Sequence, residues 1–291
     1  MNPELFLDVH AELGEGPVWD AHTQTLYWLD IRGKRVHLYR DGQDRFVQLD
    51  EMPGCLAPRK DGKLFLALGN MGRLRFADLD PDSSKLSFIS ALENELSINR
   101  FNDGKCDPAG RFLVGTMDNH EKEPSGSLFL FDGKTMTRLL TNTRISNGLT
   151  WSPDYKTFYY IDTPTHLVQA FDYDLKSGQL ANSRVAIRVP ESLGWPDGMT
   201  SDMDGNLWIA MWGGAQVTKW NPNTGQLLEQ IHVPAPHSSS CVFGGRDMNE
   251  LYITSARKDL SADELAKYPH SGGVFRVKTN VTGMPSFEFG S

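Results

Sequence analysis

The chain repeats itself. Six times a turn of Asp, Gly or Asn leads into a short apolar and aromatic run: TQTLYWLD, DGKLFLAL, AGRFLVGT, DYKTFYYID, DGNLWIAM and MNELYITS. With Tyr27, Phe65, Leu113, Tyr159, Trp208 and Tyr252 as anchors, the spacings are 38, 48, 46, 49 and 44 residues, 45 on average. A four-stranded propeller blade uses about 40–50 residues, so six blades would fill the 291-residue chain. The segments RVHLYR, RLRFAD, SLFLFD, LVQAFDYD, QVTKWN and GVFRVK follow the anchors at hairpin distance and alternate apolar with polar positions. A pair of β-sandwiches would not impose one spacing over the whole length. The expectation is an all-β fold, a six-bladed β-propeller with a central metal-binding channel, spanning 1–291 as a single domain. One stretch reads as helix: SADELAKY, Ser261 to Tyr268, opens with a Ser-x-x-Glu capping box. The end segments ELFLDV and SFEFGS are each expected to supply an edge strand that closes the ring.

Charge narrows the function. With 29 Lys and Arg against 37 Asp and Glu, the net charge is −8. That disfavours nucleic acid and anionic membrane surfaces, both of which need a basic face. The start, MNPELFLDVH, has neither the basic region nor the apolar stretch of a secretory signal, and no run approaches the roughly 20 apolar residues that cross a bilayer. Cys55, Cys106 and Cys241 are odd in number and scattered, which suits reduced thiols in the cytoplasm and offers no thiolate zinc pair.

A dozen residues ahead of the anchors stands a second recurring feature. Glu15–Gly16 lies 12 residues before Tyr27, Asn147–Gly148 lies 12 before Tyr159, and Asp197–Gly198 lies 11 before Trp208. Asn102–Asp103–Gly104 precedes Leu113, Ser240 precedes Tyr252, and Pro53–Gly54 fills the register before Phe65. Asn-Gly and Asp-Gly are also common hairpin-turn dipeptides. In a propeller, however, equivalent positions of different blades converge on one axis. Glu15, Asn147 and Asp197 would then meet at one end of the channel, each followed by a glycine that lets the backbone turn tightly. Converging carboxylates need a cation. Two carboxylates and an amide, all oxygen donors, suit Ca²⁺, Mg²⁺ or Mn²⁺; Zn²⁺ would ordinarily recruit His, and the eight histidines show no His-x-x-x-His spacing.

Taken in order, LGEGPVWD, RFNDGKCDPAGRFLVGTMD, SNGLTWSPD, PDGM with DGNLWIAMWGG, and CVFGG with LYITSAR resemble the SMP-30/gluconolactonase family, to which regucalcin and bacterial sugar lactonases belong. The resemblance runs from Glu12 to about Arg276. It implies a six-bladed propeller holding one divalent ion, Ca²⁺ first and Zn²⁺, Mg²⁺ or Mn²⁺ as alternatives. Its ligands fall on Glu15, Asn147 and Asp197, with Asp197 also the acid/base. It places Arg100 and Asn102 on the substrate and favours Asn102 over Asp103, whose side chain would stand behind it. Regucalcin-like members carry an acidic substrate contact a few positions beyond the GTM motif; in the loop GTMDNHEKEPSGS Asp118 follows Met117 directly and position 120 is His120, so the contact is assigned to Asp118.

These residues suit the opening of a sugar lactone. A hard cation polarises the carbonyl. Asp197 takes a proton from water and returns it to the ring oxygen. Arg100 and Asn102 bind substrate oxygens. Trp195 and Trp212 are candidates for the mouth, and Cys106 for simple packing. No Gly-x-Ser-x-Gly elbow, Gly-x-Gly-x-x-Gly or P-loop is present. Two alternatives remain: hydrolysis of phosphotriesters on the same ion, and a non-catalytic calcium-binding propeller. The expected partner is a small sugar lactone, without nucleic acid or membrane, on a monomer or weak homodimer.

Overall fold

A computed structural model describes residues 1–71, 73–92 and 96–290. The chain begins with β1 (Glu4–Leu7) and then runs through antiparallel four-stranded meanders. The first is β2 (Gly14–Asp20), β3 (Thr25–Asp30), β4 (Arg35–Arg40) and β5 (Gln43–Gln48). The second is β6 (Pro53–Pro58), β7 (Leu64–Leu68), β8 (Arg75–Asp80) and β9 (Lys85–Ala91). The third is β10 (Asn99–Cys106), β11 (Phe112–Asp118), β12 (Gly126–Phe131) and β13 (Met136–Thr143). The fourth is β14 (Ser146–Trp151), β15 (Thr157–Asp162), β16 (Leu167–Tyr173) and β17 (Leu180–Arg188). The last seven strands and β1 form one sheet: β18 (Trp195–Ser201), β19 (Leu207–Trp212), β20 (Gln216–Asn221) and β21 (Gln226–His232), then β22 (His237–Gly244), β23 (Glu250–Ala256), β24 (Val274–Lys278) and β1.

The fold is all-β and propeller-like. Six separate blades are expected; four four-stranded sheets are separate, and the other eight strands are joined in one sheet. The two halves of the eight-stranded sheet are joined by a single pair, Trp212 with His237, whose rings stack at 4.1 Å. The first strands form a closed ring: β2 packs on β6, β6 on β10, β10 on β14, β14 on β18, β18 on β22, and β22 on β2. The core is correspondingly divided into clusters between consecutive meanders. Val36 and Leu38 face Leu64 and Leu66 across one wedge, and Trp19 and Trp28 share another with Val242 and Tyr252. The anchors Tyr27, Phe65, Leu113, Tyr159, Trp208 and Tyr252 all lie on second strands, and the segments at hairpin distance after them are third strands.

Closure uses one terminus as a strand. β1 pairs with β24, covering the open edge of the last meander. SFEFGS does not form a strand, contrary to expectation, and its last residue lies outside the described residues. Instead Phe289 stacks on Phe65 with centroids 3.8 Å apart, its N–H donates to the Pro58 carbonyl at 2.9 Å, and Gly290 N donates to the Gly110 carbonyl at 2.9 Å. Phe289 is buried there among the rings of Phe65, Phe112 and Phe131. The expected helix is α1 (Ala262–Lys267), and its capping box is formed between Ser261 and Glu264. Among the described residues no helix is long and apolar enough to cross a membrane.

Candidate functional site

Every first strand slips register at one place: between Glu15 and Val18, Pro53 and Cys55, Phe101 and Gly104, Asn147 and Leu149, Pro196 and Met199, and Ser238 and Ser240. A bulge of this kind bends a strand and re-aims its side chains. Glu15, Asn147 and Asp197 therefore lie inside β2, β14 and β18, not in turns ahead of them. The glycines differ from expectation in the same way. Gly16 has positive φ, +52°. Gly148 and Gly198 do not. They are small because neighbouring strands press on them: a Cβ on Gly148 would sit 2.5 Å from the Asp197 carbonyl oxygen, and one on Gly198 would overlap Ser240 Oγ.

The bulges of β2, β10, β14 and β18 supply side chains to a cavity of about 340 Å³. Glu15, Asn147, Asp197, Arg100 and Asn102 all line it. Arg100 Nη1 donates to Asn102 Oδ1 at 2.7 Å and to the Phe101 carbonyl at 2.9 Å. Asn102 Nδ2 donates to Asn147 Oδ1 at 3.1 Å and to the Ser146 carbonyl at 2.8 Å. Gly16 N donates to Glu15 Oε2 at 2.9 Å.

Burial dominates the electrostatics. It pushes Glu15 up to about 8, helped by the charge of Asp103 and opposed by the Gly16 amide. It pushes Asp197 well above the usual carboxylate range, with the Glu15 charge adding to it. It lowers Arg100 to about 10. Among the described residues, Asp197 Oδ1 and Arg100 Nε are buried without a hydrogen-bond partner. No group of three His, Cys, Asp or Glu side chains suited to a metal is assembled among them either, since the third donor here is the Asn147 amide. A buried carboxylate with a bare oxygen and a half-buried one, both resisting ionisation, beside an amide oxygen fit a hard divalent cation. Glu15, Asn147 and Asp197 are the residues that could hold it.

The remaining candidates fall elsewhere. The Asp118 carboxylate does not line the cavity; it accepts from the amides of His120, Lys122 and Glu123 at 2.9, 3.0 and 3.1 Å. Burial works against its charge, but those amides hold its pKa below the ordinary value. Asp118 thus shapes the loop that brings Glu121, at φ +62°, to the cavity wall. An Asp followed by polar residues is a local turn signal that could have marked this role. Glu121 pairs with Lys258 at 2.7 Å, and Lys258 also lies over the Trp212 ring at 5.6 Å. No local signal joins residues so far apart. His120 is exposed, and neither it nor Asp103 lines the cavity. Asp103 Oδ1 accepts from Gly104 N at 2.7 Å, and the Lys105 charge partly offsets its upward shift from burial. Trp195 and Trp212 do line the mouth, and Cys106 is packed in the core. Thr163, which also lines the cavity, carried no sequence signal.

The sequence profile described as SMP-30/Gluconolactonase/LRE-like region matches residues 13–257. Regucalcin of Danio rerio is 37% identical over 292 residues, covering 98% of this chain and 97% of its own. A solved structure of regucalcin from Agrobacterium tumefaciens, titled a calcium-binding protein, superposes with TM-score 0.93 at 27% identity, covering 99% of this chain and 97% of the other. XC5397 from Xanthomonas campestris, titled a gluconolactonase, shares the fold at TM-score 0.75 and 23% identity, covering 97% and 90%. This chain belongs to the SMP-30/gluconolactonase/LRE-like family.

Proposed function

We propose that this protein is a metal-dependent lactonase that opens the ring of a sugar aldonolactone, such as gluconolactone, to the aldonic acid. The observation that carries this reading is the bare, buried Asp197 carboxylate oxygen in a cavity that Glu15, Asn147 and Arg100 also line. Membership of the SMP-30/gluconolactonase/LRE-like family supports the activity, and the calcium-binding regucalcin of Agrobacterium tumefaciens supports Ca²⁺ as the first choice of ion. The ring of first strands, with β18–β21 and β22–β24 plus β1 taken as separate blades, supports a six-bladed propeller whose channel holds the site. Three free, buried cysteines suit a cytoplasmic protein.

When bound by Glu15, Asn147 and Asp197, the cation supplies Lewis-acid polarisation of the lactone carbonyl and neutralises the two carboxylates. Asp197 accepts a proton from the water that adds to the carbonyl carbon. As the bond from that carbon to the ring oxygen breaks, Asp197 returns the proton to the departing oxygen. Arg100 lines the cavity and is anchored through Nη1, which fixes the guanidinium that would donate to a substrate oxygen. Both hydrogens of Asn102 Nδ2 are engaged, so its Oδ1 is the atom available to a substrate hydroxyl. The indoles of Trp195 and Trp212 offer an apolar wall to the sugar ring. Asp118 contributes by setting the loop that carries Glu121.

Hydrolysis of an aldonolactone panel by metal-stripped protein, with each divalent cation restored in turn, tests the proposal. Turnover that returns with the cation supports it. Preference for phosphotriesters would replace the substrate class. The likeness to the calcium-binding Agrobacterium regucalcin favours a second reading, a non-catalytic calcium-binding propeller; tight Ca²⁺ binding with no hydrolysis of lactone, ester or phosphotriester would select it.

A further inference from the structure

A cation needs an oxygen from Asn147, and the amide can present either of its ends. Its neighbours decide which. Thr163 sits in the short 3-10 turn Thr163–Thr165 after β15 and is buried. Its hydroxyl has one hydrogen, which it donates to the Pro196 carbonyl at 2.8 Å. The same oxygen lies 2.9 Å from Asn147 Nδ2, so there it accepts. On the opposite side, Asn102 Nδ2 donates to Asn147 Oδ1. Asn102 is itself fixed, because Arg100 can only donate and sits against its Oδ1. The donors thus run one way, from Arg100 through Asn102, Asn147 and Thr163 to the carbonyl of Pro196, the residue before Asp197. One lone pair of Asn147 Oδ1 is used by Asn102; the second remains.

We propose that Thr163 is the positioning residue of the cation site. It holds the Asn147 amide with Nδ2 turned away, so that Oδ1 is the atom left for a divalent ion, and it ties that amide to the peptide preceding Asp197. Without the hydroxyl the amide loses the acceptor of its Nδ2, and the Asn102 donor alone opposes a rotation that would turn N–H hydrogens toward the cation. This role rests on the cation reading above.

Calorimetric titration of metal-stripped protein with CaCl₂ alone tests it. T163V should weaken Ca²⁺ binding roughly 10- to 100-fold, the usual effect of removing an outer partner of a metal ligand, and T163S should restore most of the affinity. N147D supplies the control: both ends of its side chain are oxygen and no orientation can be lost. Adding T163V to N147D should change affinity less than about threefold. T163A carries the same comparison should T163V not fold. If the unaltered protein binds neither Ca²⁺, Mg²⁺ nor Mn²⁺, the cation reading falls and the role of Thr163 with it. If it binds while T163V binds equally well, or if T163V costs the same in both backgrounds, only the Thr163 proposal is overturned.

Discussion

Asp107 and Asp197 are both buried, yet their surroundings are opposites. Asp107 follows β10 at the end of the ring closed by Phe289. Its carboxylate accepts from the amides of Ala109 and Arg111, from Arg111 Nε at 2.7 Å and from the Tyr173 hydroxyl at 2.6 Å. Asp197 stands at the open end with Oδ1 bare and another carboxylate, Glu15, raising its pKa. A saturated buried acid holds a turn in place. An unsatisfied one costs folding free energy on its own and is kept where something outside the chain completes it.

The largest effect expected is on catalysis. D197N should lower lactone opening by roughly 10²- to 10⁴-fold, while raising the melting temperature of the metal-free protein near neutral pH, because a neutral amide replaces an acid that is ionised in the unfolded chain and that burial holds protonated in the fold. A lower metal-free melting temperature would mean that Asp197 is held by partners, as Asp107 is, and the contrast would collapse. D107A should do the reverse. It strands Arg111 and Tyr173 and should cost about 3 kcal/mol in denaturant unfolding, with Ca²⁺ affinity unchanged by calorimetry.

Glycines sharpen the same contrast. G148A drives a Cβ toward the Asp197 carbonyl and should cost about 1–3 kcal/mol by overpacking and weaken cation binding. G42A, at φ +79° with nothing within 4 Å, should cost about 1 kcal/mol of backbone strain and leave binding alone. Binding that responds equally to both would separate the cavity from the strand contacts we assign to it.

Acidity gives a smaller signal. Glu15 is raised from 4.5 to about 8. Between those values the folded state binds more protons than the unfolded state, so this group's contribution is most favourable below about pH 4.5 and is lost as pH rises toward about 8. Metal-free protein should therefore melt at a falling temperature across that window. The fall should flatten with divalent cation present, since the cation favours the ionised carboxylate. A metal-free melting temperature that climbs over the window would contradict the assigned environment. The smallest effect is at the surface: R184A breaks a pair with Asp172 in which both side chains are about half exposed, and it should shift stability by less than about 0.5 kcal/mol.

The candidate site was legible where chemistry and repeat coincide. Glu15, Asn147 and Asp197 share one position in a repeated pattern, and repeated positions must meet in a ring, so their convergence followed without coordinates. Arg100 and Asn102 entered through resemblance and line the same cavity. Asp118 was legible as an acid in the correct loop but not as to its direction, because three backbone amides compete for its carboxylate. Glu121 and Lys258 were hidden: their contact depends on two loops from different meanders reaching across the mouth.

By itself the sequence determined the repeat, the alternation that makes each segment a strand, the capping box at Ser261, and the set of oxygen-bearing side chains available to one axis. These are local properties, set by the periodicity of side chains and the conformational preferences of a few residues. Tertiary structure alone decided that the motif glycines serve strand contact and not turns, except for the left-handed Gly16. It alone decided that the C-terminal segment fills an apolar slot in place of a ladder position, and that Thr163 fixes which end of Asn147 faces which neighbour. Each of those depends on which backbone comes within a few ångströms of another, and that is set only when the ring closes.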